Sequence, residues 1–529
     1  QDEPARMGNI ARVSLAWQPG AIEVNAKYEY SYGKRQGGLF QIFAPGPYGP
    51  TFASIDPRFE SNLDLNLSNG GPGSDLNTIK AHNASLRISV PIGSASLTSD
   101  TGYSVYKTST TDEDSDFTPV PVLRFYNADK YNQFSQELRF ASAPEDQLAY
   151  TLGLFYQTAH FVGKPVFVVS SGPLYSSTRR VFDQHADTYS AFGEVSFELI
   201  PGLRLIGGGR YMVEDKAVDR SLVIYNPVTG LPETNAGVIA TMGAALGARN
   251  FSLSEAIKEK QFTPAVTLQY KIAPNTMAYA KFTRGFKSGG FDASDSAGTA
   301  IPYASESVSA WEAGLKWGVS RNVNVNLTGF YSKFDNLQVQ AFNGVSFVTT
   351  NAAKASSRGV EAEARWTPVR GLTLAGSVVY IDAHYDSYTG AACTTGQSAV
   401  WPGPGRCRQD LSGRPLTDAA HWSSTLSANY EFAVGSDWNM RLYAGANGRS
   451  GAFVAPDLDP LGWQKGYATV DASIELIAPN DLWSLSLLAK NIGDVRAKSY
   501  VVNAPLFTGA KAASIIDPRT VEVRASLKF

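Results

Sequence analysis

No run of eighteen apolar residues occurs anywhere in this 529-residue sequence, so it encodes no helix that could cross a bilayer. Charge is scarce as well. Charged residues make up 18% of the chain and the formal net charge is -2, so no basic excess exists to neutralise a phosphate backbone. Nucleic acid is therefore not an expected partner. There are two cysteines, Cys393 and Cys407, and five scattered histidines. That leaves no second cysteine pair or nearby histidine to complete a four-ligand metal site, and it fits one disulfide in an oxidising compartment better than a thiol enzyme. Catalytic signatures are missing too: no GxSxG elbow, no HExxH, no phosphate loop and no dinucleotide fingerprint. Neither enzymatic activity nor a cofactor is expected. The opening "QDEPARMGNI" has neither the basic start nor the apolar core of a secretory signal, which reads as a mature or internal stretch.

Aromatic residues and glycine are what the chain has in quantity: 12% aromatics and 48 glycines. Both suit an all-β chain with many turns. "AIEVNAKYEYSY" (21–32) sets Ile22, Val24, Ala26, Tyr28, Tyr30 and Tyr32 on one face and Glu23, Asn25, Lys27, Glu29 and Ser31 on the other. "HNASLRISV" (82–90), "DTYSAFGEVSFEL" (187–199), "GYATVDASIEL" (466–476) and the terminal "VEVRASLKF" (521–529) alternate in the same way. Period two with one apolar face is the signature of a half-buried strand. The exception is "AGVIATMGAALGA" (236–248), read as a small loop helix.

The connections alternate between short and long. Nine are brief, from "QPG" (18–20) and "PIGS" (91–94) through "IAPN" (272–275) to "IAPND" at 477 onward. Between them lie irregular segments, including 34–80, 109–130, 162–185, 215–259, 288–305, 385–418 and 495–517. Short turns at one end and long loops at the other describe an outer-membrane barrel, and nine short turns plus the last strand imply about nineteen strands of about ten to fourteen residues. Trp17, Trp317, Trp366, Trp438 and Trp483 each lie beside a predicted short turn, where a periplasmic aromatic girdle would sit. A large soluble sandwich would also alternate. Turn layout, strand length and girdle favour the transmembrane antiparallel barrel.

At this point the sequence resembles the TonB-dependent outer-membrane receptors. The resemblance is carried by "FTRGFKSGGFDA" (282–293), "ESVSAWEAGLKW" (306–317), "SRGVEAEARWTP" (357–368), "DLSGRPLTDAAHW" (410–422), "AKNIGDVRAKSY" (489–500) and the terminal strand ending in Phe529. It implies a barrel of 22 strands around an N-terminal plug, importing a scarce nutrient, most commonly an iron–siderophore complex, with energy delivered through the TonB complex. It also implies that Phe529 is the terminal aromatic read by the barrel assembly machinery, with outer-membrane lipid around the wall. No plug and no TonB-box segment are found in residues 1–529. The whole chain reads as an N-terminally incomplete barrel domain whose first strand corresponds to the fourth of the family. The terminal strand should then lack its native first-strand neighbour. A passive substrate-specific porin and a non-functional barrel fragment are the competing readings.

Within the loops, Phe286, Lys287 and Phe291 of "RGFKSGGF" could meet an anionic or aromatic cargo, but turn chemistry alone explains Ser288, Gly289 and Gly290, and the structural reading is the favoured one. Phe40, Phe43 and Tyr48 of "GGLFQIFAPGPYGPTF" (37–52) either pack against other loops or form a cargo platform. The acidic run "DEDSD" (112–116) lacks the spacing of a calcium loop and reads as a solvated face, as do Asp457 and Asp459. Glu361 and Glu363 read as lumen residues, solvated or paired with arginines such as Arg365.

Overall fold

The computed structural model describes residues 5–38, 40–64, 75–120, 122–144, 146–170, 175–342, 347–399, 407–435 and 437–528. Among them, twenty strands form one antiparallel sheet. One of the twenty, Val166–Val169, is a four-residue piece lying beside Leu123–Ala141 and Ser176–Ile200. The other nineteen follow one another in chain order, each paired with its neighbours in sequence, as in a meander wound into a wall.

All nine predicted short turns join consecutive strands at one end. Pro201 and Gly202 alone connect Ser176–Ile200 to Leu203–Tyr225, for example, with Gly202 at φ 82, a left-handed conformation that glycine adopts without a Cβ clash. Strand length departs from expectation. The strands run from 8 residues (Thr520–Leu527) to 25 (Ser176–Ile200). Much of what reads as loop in 109–130, 162–185 and 215–259 is continued strand, since Leu203–Tyr225 and Phe251–Ala273 stay in register up to Leu222 and Phe251. The reason is chemical. Beyond the lipid the outward face turns polar (Asp215, Asp219, Ser254, Lys258), so apolar alternation ends while the backbone ladder goes on.

Two edges stay open. Among the described residues, Ala5–Trp17 pairs only with Glu23–Gln36, and Thr520–Leu527 only with Trp483–Lys490. Val13 and Val523 are 70% and 72% exposed. The edges approach at the external rim, where Arg6 and Asp517 lie 3.7 Å apart. Unpaired backbone groups facing lipid cost several kcal/mol each, so these edges call for partners. Phe529 lies outside the described residues.

The wall has no continuous apolar core, because its apolar face is the outside. Leu154, Val195, Leu205, Phe262, Leu426 and Val470 are all exposed there. Buried apolar clusters form instead among the loops and the external strand ends. One joins Leu123, Val169, Leu222 and Ile224 to Met242 and Leu246 of the helix Ala236–Leu246. Asn235 caps that helix by accepting from the N–H groups of Gly237 and Val238, and left-handed Gly247 ends it. The helix thus falls where the sequence places it.

Candidate functional site: the roofed mouth of the barrel

Inside the wall, charged side chains form ladders across strands. The Asp100 carboxylate accepts from Arg87 at 2.5 Å and from Arg139 at 3.0 Å, and Arg139 also reaches Glu137 at 3.4 Å. Arg210 lies 4.0 Å from Glu137, with its guanidinium 4.5 Å from the Phe192 ring. Glu363 accepts from Asn326. Such a wall is polar but balanced, and it suits a water-filled or protein-filled interior.

At the external end of the wall the described loops pack on one another and on the strand ends, held at three places. The first is a small sheet of Gln41–Ala44, Lys498–Asn503 and Lys511–Ile515, which joins the first long loop to the last. Its apolar side buries Ile42, Val502, Ala510 and Ala512. Its polar centre is Lys511, 1% exposed, whose Nζ lies 3.0 Å from Asp459, 3.6 Å from Asp457 and 2.8 Å from Asn503 Oδ1. The Asp457 carboxyl is pushed up by burial, with the Lys511 ammonium opposing the shift. Asp457 and Asp459 are therefore not a solvated face. A lysine far along the chain meets them, a partner that local sequence does not reveal.

The second place is loop 288–305, which folds back along the inner wall. Arg220, 4% exposed, binds Glu255 at 2.7 Å and Asp295 at 3.0 Å and donates to the carbonyls of Asp292 and Ala300. Arg180 donates to the Ser294 carbonyl and the Ser296 hydroxyl. Lys216 Nζ reaches the Gly289 carbonyl at 2.9 Å, and the Gly289 N–H donates to Glu259. A Cβ on Gly289 would sit 2.4 Å from the Tyr303 carbonyl oxygen, so glycine is required for this approach.

Asp116 is the third place. It is fully buried and accepts from the N–H groups of Thr118, Val122 and Leu123 and from the Thr118 hydroxyl. Burial pushes its carboxyl up to about 6 against those donors. The acidic run is thus a folded turn rather than a solvated face, because its side chains replace backbone partners. Among the described residues no group of three or more His, Cys, Asp or Glu is arranged to hold a metal.

The structure does not bring the six candidate cargo residues together. The Phe40 ring packs on Phe117 at 4.8 Å, and Tyr48 meets Phe507 at 5.3 Å. Phe43 packs against the cluster of Val454, Ala455, Val501 and Ala513. These three are loop-packing residues. Phe291 is 4% exposed and packed with Phe182 and Val218. The unbroken register of Thr276–Lys287 puts Phe286 on the outward face with Phe282 and Lys287 on the inward face with Tyr279, so neighbours in sequence are separated by the sheet. Cys393 and Cys407 form a disulfide with Cα atoms 5.6 Å apart, within the loop network. Trp17, Trp317, Trp366, Trp438 and Trp483 all sit at the short-turn end of the wall. Four of them are 39–60% exposed, and Trp438 packs edge-on against Trp483. The arginines that hold the roof, Arg180 and Arg220, escape sequence reading. Their only local signal is a basic residue at an inward position next to apolar ones.

Comparison with known proteins bears on this architecture. Residues 16–492 match the family model described as "TonB dependent receptor-like, beta-barrel". The pesticin receptor of Yersinia enterocolitica is 23% identical over 239 residues, covering 45% of this chain and 32% of that protein. The pesticin receptor of Yersinia pestis gives the same figures. The match thus spans about a third of the length of these curated relatives. The crystal structure of the ferric yersiniabactin uptake receptor of Yersinia pestis superposes with a TM-score of 0.77 at 16% identity, over 99% of this chain and 71% of that one. The ferric-catecholate import receptor of E. coli K12 in its closed form gives 0.68 at 12% identity, over 100% and 75%. At such identities the likeness shows the fold.

Proposed function

The chain belongs to the TonB-dependent receptor-like β-barrel family, and from that premise we propose that it is the wall and external loops of an active importer of a metal chelate, specifically an iron–siderophore complex. Family membership makes it an outer-membrane transport receptor rather than an enzyme. The observation that carries the import reading is the roof. Buried ion pairs tie Lys511 of the last long loop to Asp457 and Asp459 of another and tie loop 288–305 to the wall through Arg220, while strand pairing joins the first long loop to the last. A passive porin works through an open passage with a charged constriction, whereas a gated importer needs an external cover that cargo can engage. The siderophore reading is supported by relatives described as receptors for ferric yersiniabactin and ferric catecholates. Of the six candidates Lys287 is the one we propose to touch cargo, a reading supported by its exposure on the inward face near the strand end.

The TonB complex is proposed as the energy source. Radio-iron uptake by cells carrying the full-length receptor tests the proposal. Accumulation from a panel of ferric siderophores should require both the receptor and TonB. Uptake that persists without TonB, or free diffusion of unrelated small solutes through the purified protein in liposomes, would discard active import.

A further inference from the structure

The outward face of the wall carries a feature that cargo import does not use. Lys80, Lys107 and Lys130 lie directly opposite one another on three adjacent strands, Leu76–Ile92, Ala95–Asp114 and Leu123–Ala141. All three are exposed. Like charges directly opposed across strands repel, so such a row is destabilising unless something anionic covers it. Among the described residues none of the three forms an ion pair. Lys80 sits over the Tyr32 ring, 6.0 Å from its centroid. The acids a little further round the wall behave differently, each having a partner on the protein. Asp183 meets His160, Asp187 meets His185, Asp215 meets Lys258 and Asp219 accepts from Ser254.

Below the lysines, toward the membrane, the same outward face turns apolar. Tyr103 lies four residues from Lys107 along its strand, and Phe134 four residues from Lys130, with 50% and 37% of their surfaces exposed. Between these strands and the first two runs an apolar groove of about 330 Å³, bordered by Val13, Leu15, Tyr28, Leu86 and Tyr103. Its depth comes from register. Ala84 lies between Tyr28 and Tyr103 in one cross-strand row, and Ala26 between Leu15 and Leu86 in the next. Small residues flanked by large ones leave this apolar groove between the rings. The row of lysines stands about 13 Å above it, four residues at about 3.3 Å each.

We propose that this face binds a phosphorylated lipid of the outer leaflet, with headgroup phosphates on Lys80, Lys107 and Lys130 and an acyl chain in the groove of Val13, Tyr28, Leu86 and Tyr103. The lysines supply charge at the height where headgroups lie, and the groove supplies apolar surface where chains lie. A soluble phosphate would use the first and not the second.

The full chain in phosphatidylcholine nanodiscs, with a diphosphorylated, multiply acylated glucosamine lipid titrated in and read by native mass spectrometry, tests this. The K80Q/K107Q/K130Q variant should bind the lipid about a hundredfold more weakly, taking roughly a factor of five for each lysine neutralised near an anionic headgroup. K80R/K107R/K130R should bind as the native chain does. Ala84→Trp, which fills the groove and keeps the lysines, should also weaken binding. Equal binding by the native and glutamine chains overturns the proposal, as does equal loss in the glutamine and arginine chains. Displacement of the lipid by inorganic pyrophosphate at matching concentration would make the face a free-phosphate site and overturn it as well. If the triple glutamine variant fails to insert, the central K107Q change alone is read for its share of the loss.

Discussion

Lys511 Nζ lies 3.0 Å from the carboxylate of Asp459, with both residues buried beneath the external loops. The two come from different long loops, so their meeting depends on the roof being folded. Replacing Lys511 by Met leaves Asp457 and Asp459 buried without their cation. The expected cost to the roof is about 3–5 kcal/mol, the range for removing one partner of a buried pair. Limited proteolysis of the external loops should accelerate while the wall stays resistant. Adding Asp457→Asn and Asp459→Asn to the Met change should recover much of the loss, because no uncompensated charge then remains.

Arg220 does for loop 288–305 what Lys511 does for the small sheet. Arg220→Lys keeps the charge but loses the fork that meets Glu255, Asp295 and two carbonyls together. Hydrogen exchange should show loss of protection in residues 288–300 with strand protection unchanged. Unaltered exchange would mean the loop is held by its apolar contacts alone.

The disulfide between Cys393 and Cys407 closes a loop whose ends are 14 residues apart. On the chain-entropy model it stabilises the local fold by about 3 kcal/mol. Cys393→Ser with Cys407→Ser should make the segment between them the first point of proteolytic cleavage and leave insertion into the membrane unchanged. An unchanged cleavage pattern would contradict this.

Asp116 gives a pH signature. Its carboxyl is raised to about 6 by burial from an ordinary 3.8, so the proton is held more tightly in the folded loop than in the open one. A raised carboxyl adds stability below the unfolded value, and that contribution is lost as pH rises through the folded value. Protection of the Leu123 amide, which donates to Asp116, should therefore be greater near about pH 4 than near about pH 7 once intrinsic exchange rates are removed. Asp116→Asn should reduce that dependence, with Asp114, raised to about 8 by burial and by Asp116, carrying what remains.

The two faces of the wall make a paired prediction. Leu154 is 62% exposed on the outward face, and Gln157, three positions on, points into the lumen. Leu154→Arg should cost about 2–4 kcal/mol near the bilayer midplane, whereas Gln157→Arg should be tolerated. The level of folded protein in the outer membrane, read by heat-modifiable gel mobility, separates the two.

Much of the wall was legible in the sequence because each strand meets lipid on one side and water on the other. That contrast writes a period-two pattern into neighbouring residues such as Val521, Val523 and Leu527, and it needs no knowledge of the rest of the chain. The turn rhythm adds the count, so nineteen spanning strands and the small helix at 236–246 fall where expected. The pattern fails where its cause ends. Above the membrane both faces are wet, and the continued strands around Asp215 and Ser254 look like loop.

The roof was decided by the tertiary structure alone. Asp459 becomes a buried anion only because Lys511 arrives from another loop, and Phe291 becomes core only because Arg220 draws its loop back along the wall. The same holds for the lysine row, where Lys80, Lys107 and Lys130 face one another only once three strands are in register. A local pattern records what each residue's own surroundings demand, whereas charge pairing and burial depend on which distant segments meet. The sequence by itself therefore determined a membrane wall and its number of strands, and the tertiary fold decided what covers it and what it can hold.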